Sequence, residues 1–103
     1  MKIPELTNNN ITAYLKLDNY EDLEAQDQQM IDIVKEAAFA YIESETGLTS
    51  EEIEKKDDLT IAYLALCQDM YDNRVTGFDS GTKNMVQNNT VDSILSRHRV
   101  NLV

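Results

Sequence analysis

The stretch from residue 58 to 73, DLTIAYLALCQDMYDN, constrains the fold most, because its apolar side chains spread nearly all round a helix. With a step of about 100° per residue, apolar residues fall on every side of the helix. They are Leu59, Ile61, Ala62, Tyr63, Leu64, Ala65, Leu66, Cys67, Met70 and Tyr71. A helix with so little polar surface must be covered on most sides, by other helices or by another subunit. The sequence therefore predicts a central helix and raises the question of partners.

Length and composition limit what surrounds this helix. The 103 residues suit one domain, and 42% of them are hydrophobic, which is typical of a globular protein. Three glycines and one proline are too few for the turns of an all-β domain. We predict a single all-α domain over residues 1–103, a small bundle of about four to five helices.

Charge divides the chain into two parts. Residues 1–72 carry 17 Asp and Glu against five Lys, a net charge of −12, whereas residues 73–103 carry four basic and two acidic residues, a net charge of +2. Nucleic-acid affinity depends on Lys and Arg that neutralise phosphates. Direct phosphate binding by the first part is therefore not expected.

The first third of the chain predicts a short helix and an acidic turn. Thr7 is a good N-cap, and Leu6 and Ile11 occupy the positions of a hydrophobic staple. The acidic run from Asp18 to Asp27 lacks the glycine at position six and the glutamate at position twelve of a calcium-binding EF-hand loop. We interpret it as a solvated turn and a helix start, where the helix dipole favours acidic residues.

A second helix is predicted from Asp27 or Gln28 to Glu45 or Thr46, with Gly47 as its C-terminal cap. Its predicted apolar face comprises Met30, Ile31, Ile33, Val34, Ala37, Ala38, Tyr41 and Ile42. Phe39 falls opposite the centre of this face, among charged residues. It is either an ordinary exposed apolar side chain or a contact with another subunit.

The remaining elements follow from caps and glycines. Thr49 and Glu52 fit a capping box for a short helix through Lys56 that Ile53 anchors, and Asp57 or Asp58 can cap the central helix. Residues 74–89 contain Gly77 and Gly81 without a helical period and predict either a short β-hairpin arm or a loop. Thr90 is the predicted cap of the last helix. In that helix Val91, Ile94, Leu95 and His98 share one face, and the apolar tail 100–103 is expected to dock on a surface.

Residues suited to catalysis are scarce. The single cysteine, Cys67, falls in the most apolar helix and is interpreted as packing, and the single histidine, His98, is expected to lie partly buried near a helix C-terminus. No phosphate-binding loop or zinc-protease motif occurs. We predict no catalytic residue, no cofactor and no metal ligand, and no enzymatic activity. No apolar run is long enough to span a membrane, so we expect a cytoplasmic protein without a membrane partner.

The order of these features resembles the small head-tail connector proteins of tailed phages and prophages, often labelled DNA-packaging or head-completion proteins. The resemblance spans almost the whole chain and is carried by five short segments. They are residues 14–18 (YLKLD), the acidic run, residues 41–47 (YIESETG), residues 70–74 (MYDNR) and residues 91–95 (VDSIL) followed by Arg97 and Arg99. The sequence of residues 74–89 and the lack of a proline before the last helix depart from the family pattern.

The resemblance implies a structural adaptor that assembles into a homo-oligomeric, dodecameric ring beneath the portal protein. The ring extends the DNA channel and joins the head to the next connector or tail-completion protein, with DNA only as passing cargo. Such a protein would be found in the host cytoplasm during assembly and in the virion at the head-tail junction. A negatively charged channel would repel phosphate and let the duplex slide.

Apolar and basic residues outside the expected core are the predicted subunit or partner interface. They are Phe39, Ile61, Ala65, Phe78, Met85, Val86, Arg97, Arg99, Leu102 and Val103. A second hypothesis explains the acid differently, as a DNA mimic or inhibitor module that binds a basic nucleic-acid-binding protein.

Overall fold

The computed structural model describes residues 1–73 and 89–100, which form helices and turns with no strand. The α-helices in these ranges are α1 (Asn8–Tyr14), α2 (Ala25–Thr46), α3 (Ser50–Glu54), α4 (Leu59–Asn73) and α5 (Asn89–His98). Single 3₁₀ turns occur at Ile3–Glu5 and Tyr20–Asp22. The prediction of a small all-α bundle is confirmed. The predicted hairpin or loop arm lies outside the described residues apart from Asn89, and so do residues 101–103 of the predicted tail.

Two helices begin at the predicted caps because side chains there bind free backbone N–H groups. The Thr7 hydroxyl accepts from the Asn10 amide at 3.1 Å, and the Asn10 side chain accepts from the Thr7 amide at 2.9 Å. Thr49 and Glu52 repeat this exchange at 3.0 and 3.2 Å. Each reciprocal pair satisfies two donors that the first turn leaves unpaired. The fully buried Ile53 anchors the short α3, as predicted.

The limits of α2 agree with the prediction at one end only. The helix begins at Ala25, two residues before the predicted Asp27, because the 3₁₀ turn leads into it with Glu24 at the cap position. It ends at Thr46, as predicted. Gly47 follows with φ of 76° and donates its amide to the Glu43 carbonyl at 2.9 Å. This left-handed conformation favours glycine, which has no Cβ to clash with the carbonyl.

The core lies around α4, as its apolar sequence predicts. Eight of its fifteen residues are buried, and it packs against α2, α5, α1 and the first 3₁₀ turn. The Cys67 thiol lies 3.9 Å from the Val34 carbonyl, while Tyr63 lines one groove together with Phe39. These two pairs show that α2 and α4 run in opposite directions. The two longest helices therefore pack along their lengths and form the centre of the domain.

The buried face of α2 is narrower than predicted. Residues Ile31, Val34, Ala38 and Ile42, spaced by three and four, are at most 3% exposed. Ile33 and Ala37, which were assigned to the same face, are exposed, Ile33 by 57%. The assignment of these two residues to the core is wrong. At about 100° per residue, Ile33 points away from the arc set by the four buried residues.

Phe39 also differs from its predicted position. It is half-buried and packs against the core, rather than facing solvent on the outer side of α2. The cause is the N-terminal segment, whose buried Ile3 and Ile11 lie alongside this part of α2. A helical pattern alone does not show that a distant part of the chain covers a second side of the helix.

The last helix has the predicted apolar face, with Val91, Ile94 and Leu95 at most 6% exposed. Its predicted cap is wrong, because α5 begins at Asn89 and Thr90 lies within its first turn. After α5 the Val100 amide donates to the Thr46 carbonyl at 2.7 Å. The chain after α5 thus returns to the C-terminal end of α2.

Candidate functional site

Five of the ten predicted interface residues are described by the structure, and they belong to three different parts of the fold. Ile61 and Ala65 lie on α4, Phe39 on α2, and Arg97 and Arg99 at the C-terminal end of α5. The other five lie outside the described residues. They are Phe78, Met85, Val86, Leu102 and Val103.

On α4 the two predicted interface residues have different environments. Ile61 is 56% exposed, which is unusual on a helix whose other large apolar side chains are buried or half-buried. Ala65 is only 8% exposed, so the expectation that it stays uncovered beside Ile61 is wrong. Its small side chain lies one turn after the buried Ala62 and shares that covered side of the helix. Ile61 is therefore the most exposed large apolar side chain of α4.

A groove of about 490 Å³ opens between the N-terminal segment and α2. Its apolar surface comes from the first 3₁₀ turn, α1, α2 and α4. The apolar residues that line it are Ile3, Pro4, Leu6, Ile11, Phe39, Ala40 and Tyr63. Phe39 thus borders an apolar recess in its own subunit, a role that the helical pattern did not indicate.

The rim of this groove is acidic. Glu36 and Glu43 come from α2 and Glu54 from α3, against one cation, Lys35. The Lys35 ammonium donates to the Asn8 side chain at 2.7 Å, which holds it against α1. In the described part of the chain the three glutamates form no ion pair. The groove therefore combines apolar lining with a net negative charge, since Lys35 offsets only one of the three glutamates.

Basic residues gather at the other described surface of interest, the C-terminal end of α5. The Arg99 guanidinium binds Glu45 of α2, with 3.1 Å to its carboxylate and 3.2 Å to its carbonyl. His98 Nε2 lies 2.7 Å from the Asp58 carboxylate at the start of α4. Arg97 is exposed and forms no ion pair with any described residue. Val100, just beyond the helix, is 44% exposed.

The Asp58–His98 contact changes the acidity of the carboxyl group. Burial raises the pKa of Asp58, but the hydrogen bond with His98 and the charges of His98 and Arg97 outweigh it, so the pKa falls below the ordinary 3.8. The prediction that His98 is partly buried near a helix C-terminus is confirmed, since its side chain is 17% exposed at the last residue of α5. Its acidic partner lies 40 residues away, and no local pattern indicates it.

The single thiol is a packing group, as predicted. Cys67 is fully buried, and burial raises its pKa to about 12, although the hydrogen bond with Tyr63 and the charge of Lys35 act in the opposite direction. The thiolate is the nucleophilic form, and a pKa this high leaves almost none of it near neutral pH. Burial likewise raises the pKa of the Tyr63 hydroxyl.

The described ranges contain neither a cluster of metal-binding side chains nor a membrane-spanning helix. Within residues 1–73 and 89–100, no three His, Cys, Asp or Glu side chains converge as metal ligands. In the same ranges, no helix combines the length and the apolar character needed to cross a membrane.

Sequence reasoning missed Ile33 and the groove. The exposure of Ile33 could have been found from the spacing. The buried residues Ile31, Val34, Ala38 and Ile42 define a narrow face, and Ile33 lies on the opposite side of the helix. The groove leaves no such signal, because its walls come from segments far apart in the chain. Comparison of the chain with models of protein families, with curated proteins and with solved structures found no match.

Proposed function

We propose that this protein is a structural head-tail connector of a tailed phage or prophage. It assembles as a ring under the portal, extends the DNA channel and joins the head to the next connector or tail component. Its residues act through packing and charge, without catalysis, in the host cytoplasm during assembly and then in the virion. The observation that best supports this function is Ile61, an apolar side chain 56% exposed on an otherwise enclosed helix.

Three further features support a ring subunit. The order of sequence features resembles the connector family over almost the whole chain. Exposed Ile33 on α2 adds a second apolar position outside the core. The acidic turn before α2 is solvent-exposed at Asp18, Glu21, Asp22 and Glu24, as a channel that repels DNA phosphate would require.

The function is tested in phage particles that lack the protein. Heads should fill with DNA and then leak it or fail to join tails, because the channel and the tail platform are missing. Normal tailed particles without the protein would reject the connector function. The gene neighbourhood gives an independent check, since portal, protease and major capsid genes should lie just upstream.

Ile61 provides the matching test of assembly. Ile61→Asp should weaken ring formation while changing the unfolding free energy of the isolated subunit by less than about 0.5 kcal/mol, as expected for an exposed position. Ile61→Val is the matched control, because it keeps an apolar contact. A variant that unfolds in isolation would instead assign Ile61 to the core.

The exposed carboxylates also favour a second function, in which the acidic surface imitates DNA and inhibits a basic nucleic-acid-binding protein. Glu51, Glu52, Glu54 and Asp57 extend the exposed acid beyond the turn before α2. This function predicts a small species that competes with DNA for a basic partner. Light scattering and negative-stain images separate the two, because rings support the connector and a DNA-competing monomer or dimer supports the mimic.

A further inference from the structure

The acid-rimmed groove, formed by the residues named above, has the chemistry of a docking site. Its floor exposes part of Phe39 next to the nearly buried Ile11 and Tyr63. Glu36 and Glu43 of α2 and Glu54 of α3 line the groove, and the charge of Lys35, which is held by Asn8, offsets only one of these carboxylates. The complementary partner is an apolar side chain flanked by a cation, because charge of the opposite sign steers and orients binding.

The same chain carries that combination at the end of α5. Arg97 is exposed without an ion pair in the described residues, and Val100 exposes 44% of its surface three residues later. Arg99 is held by Glu45, which fixes this end of the chain against α2. The basic end is thus a positioned surface with one arginine and one valine available to a partner.

The groove and the basic end lie on different sides of α2. Glu43 lines the groove, whereas Glu45 binds Arg99 of the basic end. Two residues of helix separate Glu43 from Glu45, a rotation of about 200°. In a contact between two copies, one copy therefore contributes the groove and the other contributes the basic end. A contact between two unlike surfaces generates rings or filaments.

We propose that the acid-rimmed groove binds the C-terminal end of α5 of a second copy, with Arg97 facing the groove carboxylates and Val100 entering the apolar floor. This contact rests on the proposed ring and names the two surfaces that join neighbouring subunits.

Cross-linking between two cysteines, one introduced into each of two chains, tests this contact. One full-length chain carries Ser96→Cys, an exposed position beside Arg97, and the other carries Ala40→Cys in the groove. The native Cys67 is fully buried and does not compete. The matched control is Ala25→Cys, an exposed alanine about 22 Å along the same helix from Ala40. The chains are purified separately and mixed with a short bis-maleimide, and the mixed dimer is quantified by mass.

The pair at 96 and 40 should cross-link about tenfold faster than the pair at 96 and 25, because complementary charge and apolar contact hold the first pair together. Adding Arg97→Glu to the Ser96→Cys chain should remove the difference, and Arg97→Lys should keep most of it. High salt should also reduce it, since about 1 M salt shortens the screening length to about 3 Å.

Equal rates at positions 40 and 25, or a difference that Arg97→Glu leaves intact, would overturn the contact. Either result leaves the particle test of the connector function unaffected, so failure of the contact and failure of the function are distinguishable. Circular dichroism of each variant before mixing identifies any chain that has lost its helices. For such a chain, Glu43→Gln in the groove replaces the cysteine pair, with concentration-dependent sedimentation of the full chain as the readout. Unchanged sedimentation would overturn the contact as well.

Discussion

Helices α4 and α2 contribute to the same core in different ways. In α4 eight of fifteen residues are buried, and in α2 only five of twenty-two are. Neighbours enclose α4 on most sides, whereas α2 covers one side of it and keeps an outer face in solvent. The difference teaches that an apolar residue on α4, apart from the exposed Ile61, stabilises the fold, whereas an apolar residue on the outer face of α2, such as Ile33, contacts solvent.

The largest expected effect comes from replacing one large apolar side chain on each helix with alanine. Leu66→Ala on α4 should lower the free energy of unfolding by about 2–5 kcal/mol, because it removes a fully enclosed side chain and leaves a cavity. Ile33→Ala on α2 should change it by less than about 0.5 kcal/mol. Urea denaturation followed by circular dichroism measures both. Similar losses for the two variants would break the contrast between the helices.

The end of α2 gives an intermediate effect. Gly47→Ala should cost about 1 kcal/mol, because alanine at a positive φ clashes with the following carbonyl. The space itself is available, since an added Cβ would meet Val100 at an ordinary 3.5 Å. Gly47→Asn is the matched control and should cost less, because asparagine tolerates this conformation. Equal unfolding midpoints for the three proteins would show that the end of α2 does not need this backbone geometry.

The smallest effect concerns the pairing of α4 with α5 and depends on pH. Because the folded pKa of Asp58 lies below 3.8, its stabilisation is present above that value and is lost as pH falls through the folded pKa. At about pH 5.5 Asp58→Asn should be less stable than the wild type by about 0.2–1 kcal/mol, the range for a partly exposed pair. The difference should shrink toward about pH 2.5, as the Asp58 carboxyl takes up a proton and loses its charge.

Asparagine suits this test because it keeps the size and capping ability of Asp58 while removing the charge. Unfolding free energies of both proteins at several pH values between these limits give the comparison. A difference that stays constant into acid would show that the carboxylate charge contributes nothing.

Local chemistry made part of this fold predictable. Thr7, Thr49 and Gly47 mark helix ends because their effects act within four residues through hydrogen bonds or backbone conformation. The enclosed α4 is predictable for a related reason, since its apolar surface exceeds what one neighbour can cover. These features need no knowledge of what lies elsewhere in the chain.

The errors arise where distant segments meet. Phe39 differs from its prediction because the N-terminal segment, more than twenty residues upstream, covers its side of α2, whereas Ile33 was assigned to a face drawn too widely. The groove and the Asp58–His98 pair have the same origin. Thus the candidate site was predictable only at single exposed positions such as Ile61 and Arg97, and its apolar recess required the structure.

The buried Cys67 has a practical consequence for telling folding from assembly. Its sulfur lies between α2 and α4, so a thiol reagent can reach it only when these helices separate. The rate at which Cys67 is labelled in native buffer therefore measures how often α2 and α4 separate, and it reports local stability without denaturant. Because the native Cys67 is the labelled group, the same measurement can be made on the wild-type chain in an assembled particle and in the free subunit.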